Sequence, residues 1–578
     1  MTEAFRAARD FLLANRENYA KASADFQWPN PDRFNWALDW FDPIATGPRG
    51  DQTALWVADE DGSEEKFSFR QLADRSSQIA NYLRKLGLKR GERILLMLEN
   101  VSPLWEATLA AMKLGAVVIP TTTLLTPNEL ADRIVCARVR FVISTARHAA
   151  KFENLPAKCV RIIVNGEAPG WQRYEEAYTG PVAFEPGQET LATDPLLLFF
   201  TSGTTAKPKL VTHSHTSYPV GHLSTMYWLG LRPGDVHFNL SSPGWAKHSW
   251  SCFFAPWNAE ASVFVLNQRR FHAQGLLDSL VRCEVTSFCA PPTVWRWLIK
   301  EELAKWKVHL REAISAGEPL NPEVVDRVRN AWGLTIRDGY GQTETTAMIG
   351  NSPGQHLKIG SMGRPLPGYR LALLDLEGNE VSEGEICVTV TPSPVGLTPG
   401  YDTDEGVAMQ FQGPVYRTGD VAIRDGDGYF TFVGRADDVF KSSDYRISPF
   451  ELESSLIQHP DILECAVVPS PDAIRHCVPK AFVALRAGIE PTRERALSIF
   501  QHARQVLAPY KRVRRIEFVD LPKTISGKIR RVDLRRAEEA RANSGARATS
   551  EYWEEDFPEL RAAIESAPAG GRNATVSS

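Results

Sequence analysis

The chain has 578 residues, which at about 150 residues per domain amounts to roughly four domain-sized units. Hydrophobic residues make up 43%, charged residues 24% and aromatics 10%, the usage of a folded soluble protein, which excludes disorder, collagen-like repeats and coiled coil for its bulk. A net charge of −4 makes no case for bulk binding to nucleic acid or an anionic membrane surface, so any phosphate must be met by local groups.

The N-terminal MTEAFRAARDFLLANRENY mixes acids and bases and offers no signal-peptide core, and the most apolar later run, Ala107 to Pro120, is interrupted by Lys113 and too short to span a bilayer. Eight scattered cysteines without a CxxC pair predict free thiols in a reducing, cytoplasmic setting rather than a metal centre or disulfide framework. No fixed-period repeat is visible.

From residue 69 the pattern alternates: FRQLADRSSQIANYLRKLG as helix, ERILLMLEN as strand, SPLWEATLAAMKLG as helix and AVVIPTT as strand. Each of these helices closes on a glycine before a buried-looking strand, the grammar of βαβ units and a parallel sheet. The alternation recurs at ADRIVCARVRFVIST and from Phe271 to Thr293. From about Gly368, YRLALLD, GEICVTV and GYFTFVG read as short strands of an antiparallel β subdomain reaching to about residue 434, separated by Gly-containing turns. A compact α+β unit comes after a boundary near Arg435 to Asp438, with ISPFELESSLIQHP (helix), ILECAVVPS and VPKAFVAL (strands) and PTRERALSIFQHARQVL (helix). The expected domains are 1–436 and 437–564, with a small, polar tail at 565–578 expected to be disordered. The fold class is therefore α/β: a large N-terminal domain with mixed or parallel sheets wrapped by helices and a β-rich subdomain, then a small, mobile α+β C-terminal domain.

Five local motifs carry chemistry. Directly after the apolar strand LLLFF comes Thr201, Ser202, Gly203, Thr204, Thr205, Ala206, Lys207, Pro208 and Lys209, small hydroxyl and glycine residues whose backbone N–H groups can wrap phosphate oxygens, with two lysines for charge. It is not a Walker A loop, which would need Gly-Lys where Pro208-Lys209 stands. The second is a loop of Asp338, Gly339, Tyr340, Gly341, Gln342, Thr343, Glu344 and Thr345, able to stack a ring on Tyr340 and hold Mg²⁺ through Glu344. In the third, Tyr416-Arg-Thr-Gly-Asp420, an acid at a strand–turn junction can accept from a ribose diol. The fourth, Gly434 to Ile447, sits on the domain boundary, and the fifth, Leu521 to Arg530, places Lys528 on a Gly-containing loop where its ammonium can reach an anion.

In this order and at these separations, the five motifs resemble the adenylate-forming superfamily of acyl-CoA synthetases, luciferases and peptide-synthetase adenylation domains, from about Phe34 to Arg531. FNWALDWFD, SSPGWAK, GSMGRPLPG and KSSDYRISPFELE make the medium-chain acyl-CoA synthetase branch the most similar. The resemblance implies ATP-dependent activation of a carboxylate, release of pyrophosphate, and transfer of the acyl group from AMP to CoA. It implies that residues 201–209 clasp the ATP phosphates and that Gly317, Glu318 and Pro319 with Asp338–Thr343 hold the adenine and α-phosphate. It further places Glu344 and Thr204 at Mg²⁺, Asp420 and Arg435 at the ribose, and Lys528 between the attacking carboxylate and the α-phosphate. Asp437 occupies the family's hinge position. Ser443, Asp444, Tyr445, Arg446 and Arg475 match nucleotide, CoA and substrate contacts.

The chain departs from the family pattern at three positions. Asp444 and Ser448 replace the glycines of KSSGYRIG, which burdens the thiol path sterically and electrostatically, and Ala206 stands where glycine is usual. Acetate-specific relatives carry a Trp where this chain has Gly341, so the resemblance implies room for several carbons or a ring, with Trp245 and His248 beside it. The expected acid is short-to-medium-chain, branched or aromatic rather than acetate. An alternative stays open at this point, supported by Asp444: transfer of the acyl group to a carrier-protein phosphopantetheine. Lys528 also resembles a site of lysine acetylation, implying an acetyltransferase and deacetylase as partners, and a homodimer is a further expected assembly.

Overall fold

The computed structural model describes residues 2–153, 155, 158–201, 209–318, 320, 322–408, 413–442, 445–472, 475–524, 528–544 and 547–560. By its internal packing the chain divides into residues 1–382, 386–418 and 424–431, and residues 383–385, 419–423 and 432–578.

The first unit holds, among the described residues, two nine-stranded sheets. One runs in the order Arg364–Pro365, Ala347–Gly350, Arg337–Gly341, Glu312–Ala316, Ser287–Ala290, Val236–Asn239, Ser262–Asn267, Thr53–Asp59, Glu64–Ser68, parallel in the middle and antiparallel at both edges. The other runs Gly406–Ala408, Gly400–Thr403, Lys209–Ser214, Pro195–Thr201, Val117–Pro120, Arg93–Met97, Phe141–Thr145, Val160–Val164, Gln172–Arg173. Its parallel part comes from the helix–strand alternation legible in the sequence, because strands of one direction need helical crossovers between them.

The helix Phe69–Lys85 starts where Ser68 and Gln71 form a capping box and stops before Gly87 at φ +95°, a conformation a side chain would disfavour. Ser102–Lys113 ends likewise at Gly115, φ +66°. The FNWALDWFD segment is core: Trp36 and Trp40 are fully buried and donate to Asn258 Oδ1 (2.8 Å) and the Trp257 carbonyl (3.0 Å). Lys113, also buried, is matched by Asp42 and Ser77, both at 2.9 Å. No helix among the described residues is long and apolar enough to cross a membrane, and the eight cysteines are free.

Leu371–Leu374, Glu383–Thr389, Val415–Arg424 and Phe430–Arg435 form, in that order, a four-stranded sheet. Three of its strands coincide with the short strands expected from the sequence; the fourth, 415–424, is concealed there by the turn signals around Gly419.

The second unit packs the helices Pro449–Leu456 and Arg493–Val506 on a sheet ordered Ile462–Asp472, His476–Leu485, Arg515–Phe518, Glu551–Trp553. The helix Arg531–Ser544 supplies Leu534 to a second cluster on this sheet. Its central strand buries Lys480, matched by Glu517, Glu538 and Glu551 at 2.9, 2.6 and 3.1 Å. Without these carboxylates a buried ammonium would lose its proton or unfold the unit.

Candidate active site

In the first unit the chemistry gathers at the carboxyl ends of parallel strands, where open α/β sheets bind ligands. Asp338–Gly341 is the end of strand Arg337–Gly341, not the loop expected from its glycines. The glycines have a packing reason. Gly339 and Gly350 are cross-strand partners, and a Cβ on either would run into the Trp228 indole, which is buried between them and donates to the Asp338 carbonyl at 3.1 Å. Loss of water around the Asp338 carboxyl pushes its pKa up to about 7 despite the bond from the Gly339 N–H at 2.9 Å.

Gly341 sits at a register shift, and a Cβ there would be 3.0 Å from the Thr346 carbonyl carbon and closer still to its oxygen. The room expected at Gly341 is therefore filled by backbone in the Cβ direction, and the strand bulge demands the glycine. Beyond it, Gln342 donates to the Thr418 carbonyl at 2.8 Å and accepts from Tyr416 at 3.1 Å, while His213 binds the Thr343 carbonyl at 2.7 Å.

Residues 202–208, including Thr204 and Ala206, and Pro319 lie outside the described residues. Immediately after residue 208, Lys209 opens strand Lys209–Ser214, and its ammonium lies 4.9 Å from the centre of the Tyr401 ring. The Tyr401 hydroxyl donates to Glu344 Oε1 at 3.0 Å. Tyr401 thereby joins the first motif to the second. The sequence does not mark it, because its strand Gly400–Thr403 pairs with 209–214 across almost two hundred residues. Gly317, φ +107°, and Glu318 are exposed at the end of strand Glu312–Ala316.

The SSPGWAK segment docks on the end of another strand: a Cβ at Gly244, φ +93°, would be 2.7 Å from Thr122 Cα. Trp245 is half-buried and its carbonyl accepts from the His248 N–H at 3.0 Å. The His248 ring is buried, bonded to Asn100 Oδ1 at 3.0 Å and tilted against Trp105, and desolvation lowers its pKa to about 3. It stays neutral at physiological pH, and its described partners are Asn100 and Trp105 rather than the Trp245 ring.

In the second unit Asp420 is buried and bound by Arg435 at 3.2 Å. It lies inside the continuous strand Val415–Arg424, not at a strand–turn junction; Gly419, at φ +72° with the Arg435 guanidinium at 2.7 Å from where its Cβ would be, kinks the strand there. Arg435 also reaches Asp437 at 3.3 Å, and the Asp437 carbonyl accepts from Arg535 at 2.6 Å. Lys528 is exposed, its N–H bonded to Thr524 Oγ1 at 3.1 Å.

Ser443 and Asp444 lie outside the described residues, as do the side chains of Tyr445 and Arg446. The flanking strands pair Ser442 with Tyr445 and Lys441 with Arg446. Ser442 Oγ donates to the Cys477 carbonyl at 2.9 Å, so this hairpin adjoins the strand that begins just past Arg475. Ser448, the departure from the glycine pattern, has a structural role: it caps helix Pro449–Leu456 by accepting from the Glu451 N–H at 3.2 Å, and its hydroxyl donates to the Val433 carbonyl.

Residues 44–401 match the AMP-binding enzyme family, and residues 451–528 match the AMP-binding enzyme C-terminal domain. The chain belongs to the AMP-binding enzyme family. The 4-hydroxybutyrate–CoA ligase 1 of Metallosphaera sedula is 43% identical over 531 residues, 90% of this chain and 93% of that one. The mitochondrial acyl-coenzyme A synthetase ACSM3 of Homo sapiens is 38% identical over 544 residues, 91% and 93% of the two chains. Among solved structures, the anthranilate CoA ligase AuaEII in complex with anthranoyl-AMP aligns with a TM-score of 0.78 at 31% identity, covering 89% of this chain and 99% of that one. This AMP-binding enzyme is an AMP-forming acyl-CoA ligase with ATP and CoA as substrates, and the alternative of loading a carrier protein is not favoured by these relatives.

Proposed function

We propose that this ligase activates a short-to-medium-chain, branched or aromatic carboxylic acid in preference to acetate. The observation that supports this is Gly341 itself: it carries no side chain where acetate-specific relatives place a Trp that walls off the acyl site. The names of the relatives, which speak of four-carbon and aromatic acids, support the same reading.

In the first half-reaction a carboxylate oxygen attacks the α-phosphorus, the bond to the β-phosphate breaks, and pyrophosphate leaves. In the second, the CoA thiolate attacks the acyl carbonyl and AMP leaves. Little covalent work falls to the protein, so positioning and charge neutralisation lower the barrier. Lys209 and residues 201–208 meet the phosphates, Asp338 and residues 317–319 the adenine, and Asp420 with Arg435 the ribose. Lys528 bridges the two reacting anions.

Mg²⁺ commonly takes one or two carboxylates and fills its sphere with substrate phosphates and water. Among the described residues there is no cluster of three acidic, His or Cys ligands, and Glu344 is a single carboxylate oriented by Tyr401, so the residues fit. Glu344 with Thr204 would hold the ion, which neutralises phosphate charge. Asp437 is the hinge about which residues 437–564 turn between half-reactions, Ser443–Arg446 and Arg475 guide CoA, and acetylation of Lys528 switches adenylation off by removing its charge. A cytosolic homodimer is the proposed setting.

The test is pyrophosphate release against acids of two to twelve carbons, branched and aromatic, with and without CoA. Catalytic release only with CoA, together with AMP and an acyl-CoA, identifies the acid; preference for acetate refutes the proposal. One adenylate per enzyme with no response to CoA refutes the thioester half.

A further inference from the structure

Among the described residues of the first unit, three contacts fix Glu344, one on its carboxylate and one on the carbonyl at each side of its Cα. Tyr401 donates to Oε1 at 3.0 Å. The Glu344 carbonyl accepts from the Thr398 N–H at 2.8 Å. The Thr343 carbonyl, in the peptide that enters Glu344, is bound by His213 Nε2 at 2.7 Å. All three partners belong to one antiparallel strand pair or lead into it. Lys209–Ser214 carries His213, and Gly400–Thr403 carries Tyr401 and follows Thr398, whose hydroxyl donates to the Thr212 carbonyl. The strand with His213 leaves directly from residue 208 of the phosphate motif.

The His213 ring is fixed in plane and in the position of its proton. It is fully buried, with the Tyr218 ring centre at 4.6 Å and the Phe199 ring centre at 6.3 Å. Its Nδ1 lies 3.0 Å from Ser217 Oγ, and that oxygen accepts from the Ser214 N–H at 2.8 Å. The serine hydrogen is thereby left for Nδ1. A carbonyl has no hydrogen to give, so the ring hydrogen sits on Nε2 and points to Thr343. Partners one shell out from a metal fix the orientation of the groups that bind it, and their loss typically costs roughly 10–100-fold in metal affinity. A carboxylate on a peptide free to turn reaches the ion in fewer of its conformations.

We propose that His213, its proton position set by Ser217, is a positioning residue for divalent-metal binding: it fixes the peptide that enters Glu344 and so aims the carboxylate at the ion on the ATP phosphates. This rests on the reading of Glu344 as a metal ligand. The role is indirect, so removing the ring should weaken the metal's contribution to nucleotide binding and leave metal-free nucleotide binding as it is.

The experiment measures Kd for α,β-methylene-ATP, whose α–β bridge cannot be cleaved, by calorimetric titration without divalent metal and with saturating Mn²⁺ as the probe ion. The ratio of the two values is the metal's contribution. It is determined for the wild type, His213→Leu, His213→Gln, Ser217→Ala and Glu344→Gln. The expected result is a ratio lowered roughly tenfold in His213→Leu with the metal-free Kd unchanged, lowered about threefold in Ser217→Ala, and largely restored in His213→Gln, whose side-chain N–H reaches the same carbonyl. A ratio unmoved in His213→Leu, a loss of affinity equal with and without Mn²⁺, or no recovery in His213→Gln overturns the inference. If His213→Leu does not fold, Ser217→Ala decides, and an unmoved ratio there overturns it. Glu344→Gln separates the two readings. A ratio unmoved in that variant refutes Glu344 as a metal ligand and this inference with it, whereas a ratio that collapses there but stands in the histidine and serine variants refutes the inference alone.

Discussion

Gly339→Ala tests the packing that shapes the adenine segment. The added Cβ would lie 2.8 Å from Trp228 Nε1 and closer to two ring carbons. The indole cannot retreat, since Gly350 packs against its opposite edge with its own Cβ direction 2.8 Å from Cγ. Overpacking of this kind costs about 1–3 kcal/mol, and loss of the bond from Nε1 to the Asp338 carbonyl adds about 1 kcal/mol. A total of roughly 2–4 kcal/mol corresponds to a fall in Tm of about 2–5 °C, because the unfolding entropy of so large a unit makes each kcal/mol worth only about 1 °C. Because the same strand carries Asp338 and Tyr340, KM for ATP should rise with the loss of stability. The assay is thermal unfolding by near-UV circular dichroism, with pyrophosphate release as a function of ATP, for Gly339→Ala, Trp228→Phe and the double variant. The smaller ring should make room, so the double variant should lose less than the sum of the two single losses. A Tm change below about 1 °C in Gly339→Ala, or strict additivity in the double variant, refutes the reasoning.

Tyr401→Phe frees Glu344 from its hydroxyl partner; a hydrogen bond to a carboxylate, discounted for partial exposure, is worth about 1 kcal/mol, so kcat/KM for pyrophosphate release should fall about fivefold, and an unchanged value would remove Tyr401 from the site. Lys528→Ala should lose most adenylation while its thermal unfolding matches the wild type, and normal acyl-adenylate formation would refute its role. Asp437→Pro should impair thioester formation more than adenylation in single-turnover measurements; equal losses count against a hinge. Burial raises the Asp338 pKa to about 7, above the carboxylate value of the unfolded chain, so the folded state binds the extra proton between about pH 4 and 7 and loses stability as pH rises through that window. Asp338→Asn should therefore gain Tm relative to the wild type on going from pH 5 to 8, and a constant difference would show that the carboxyl is not penalised.

Much of this enzyme is written in short stretches of sequence. The helix Phe69–Lys85 declares its start in Ser68 and Gln71 and its end in Gly87, and the α+β unit after residue 445 announces its strands by their apolar runs. Capping, turn chemistry and hydrophobic period act over a few residues, so they are legible directly in the chain. The five motifs are equally local, and their order carried the resemblance that the relatives bear out. Other facts were set by residues distant in sequence. Asp338–Gly341 became a strand because Trp228 needed two facing glycines, and Asp420 entered a continuous strand because Gly419 absorbs the kink beneath Arg435. Ser448, a departure from the family pattern, proved to be a helix cap only once the helix stood beside Val433. Tyr401 carries no mark in the sequence at all. A lysine or tyrosine acquires its role from what surrounds it after the strands close, and desolvation and unpaired donors exist only when water has been excluded by residues hundreds of positions away.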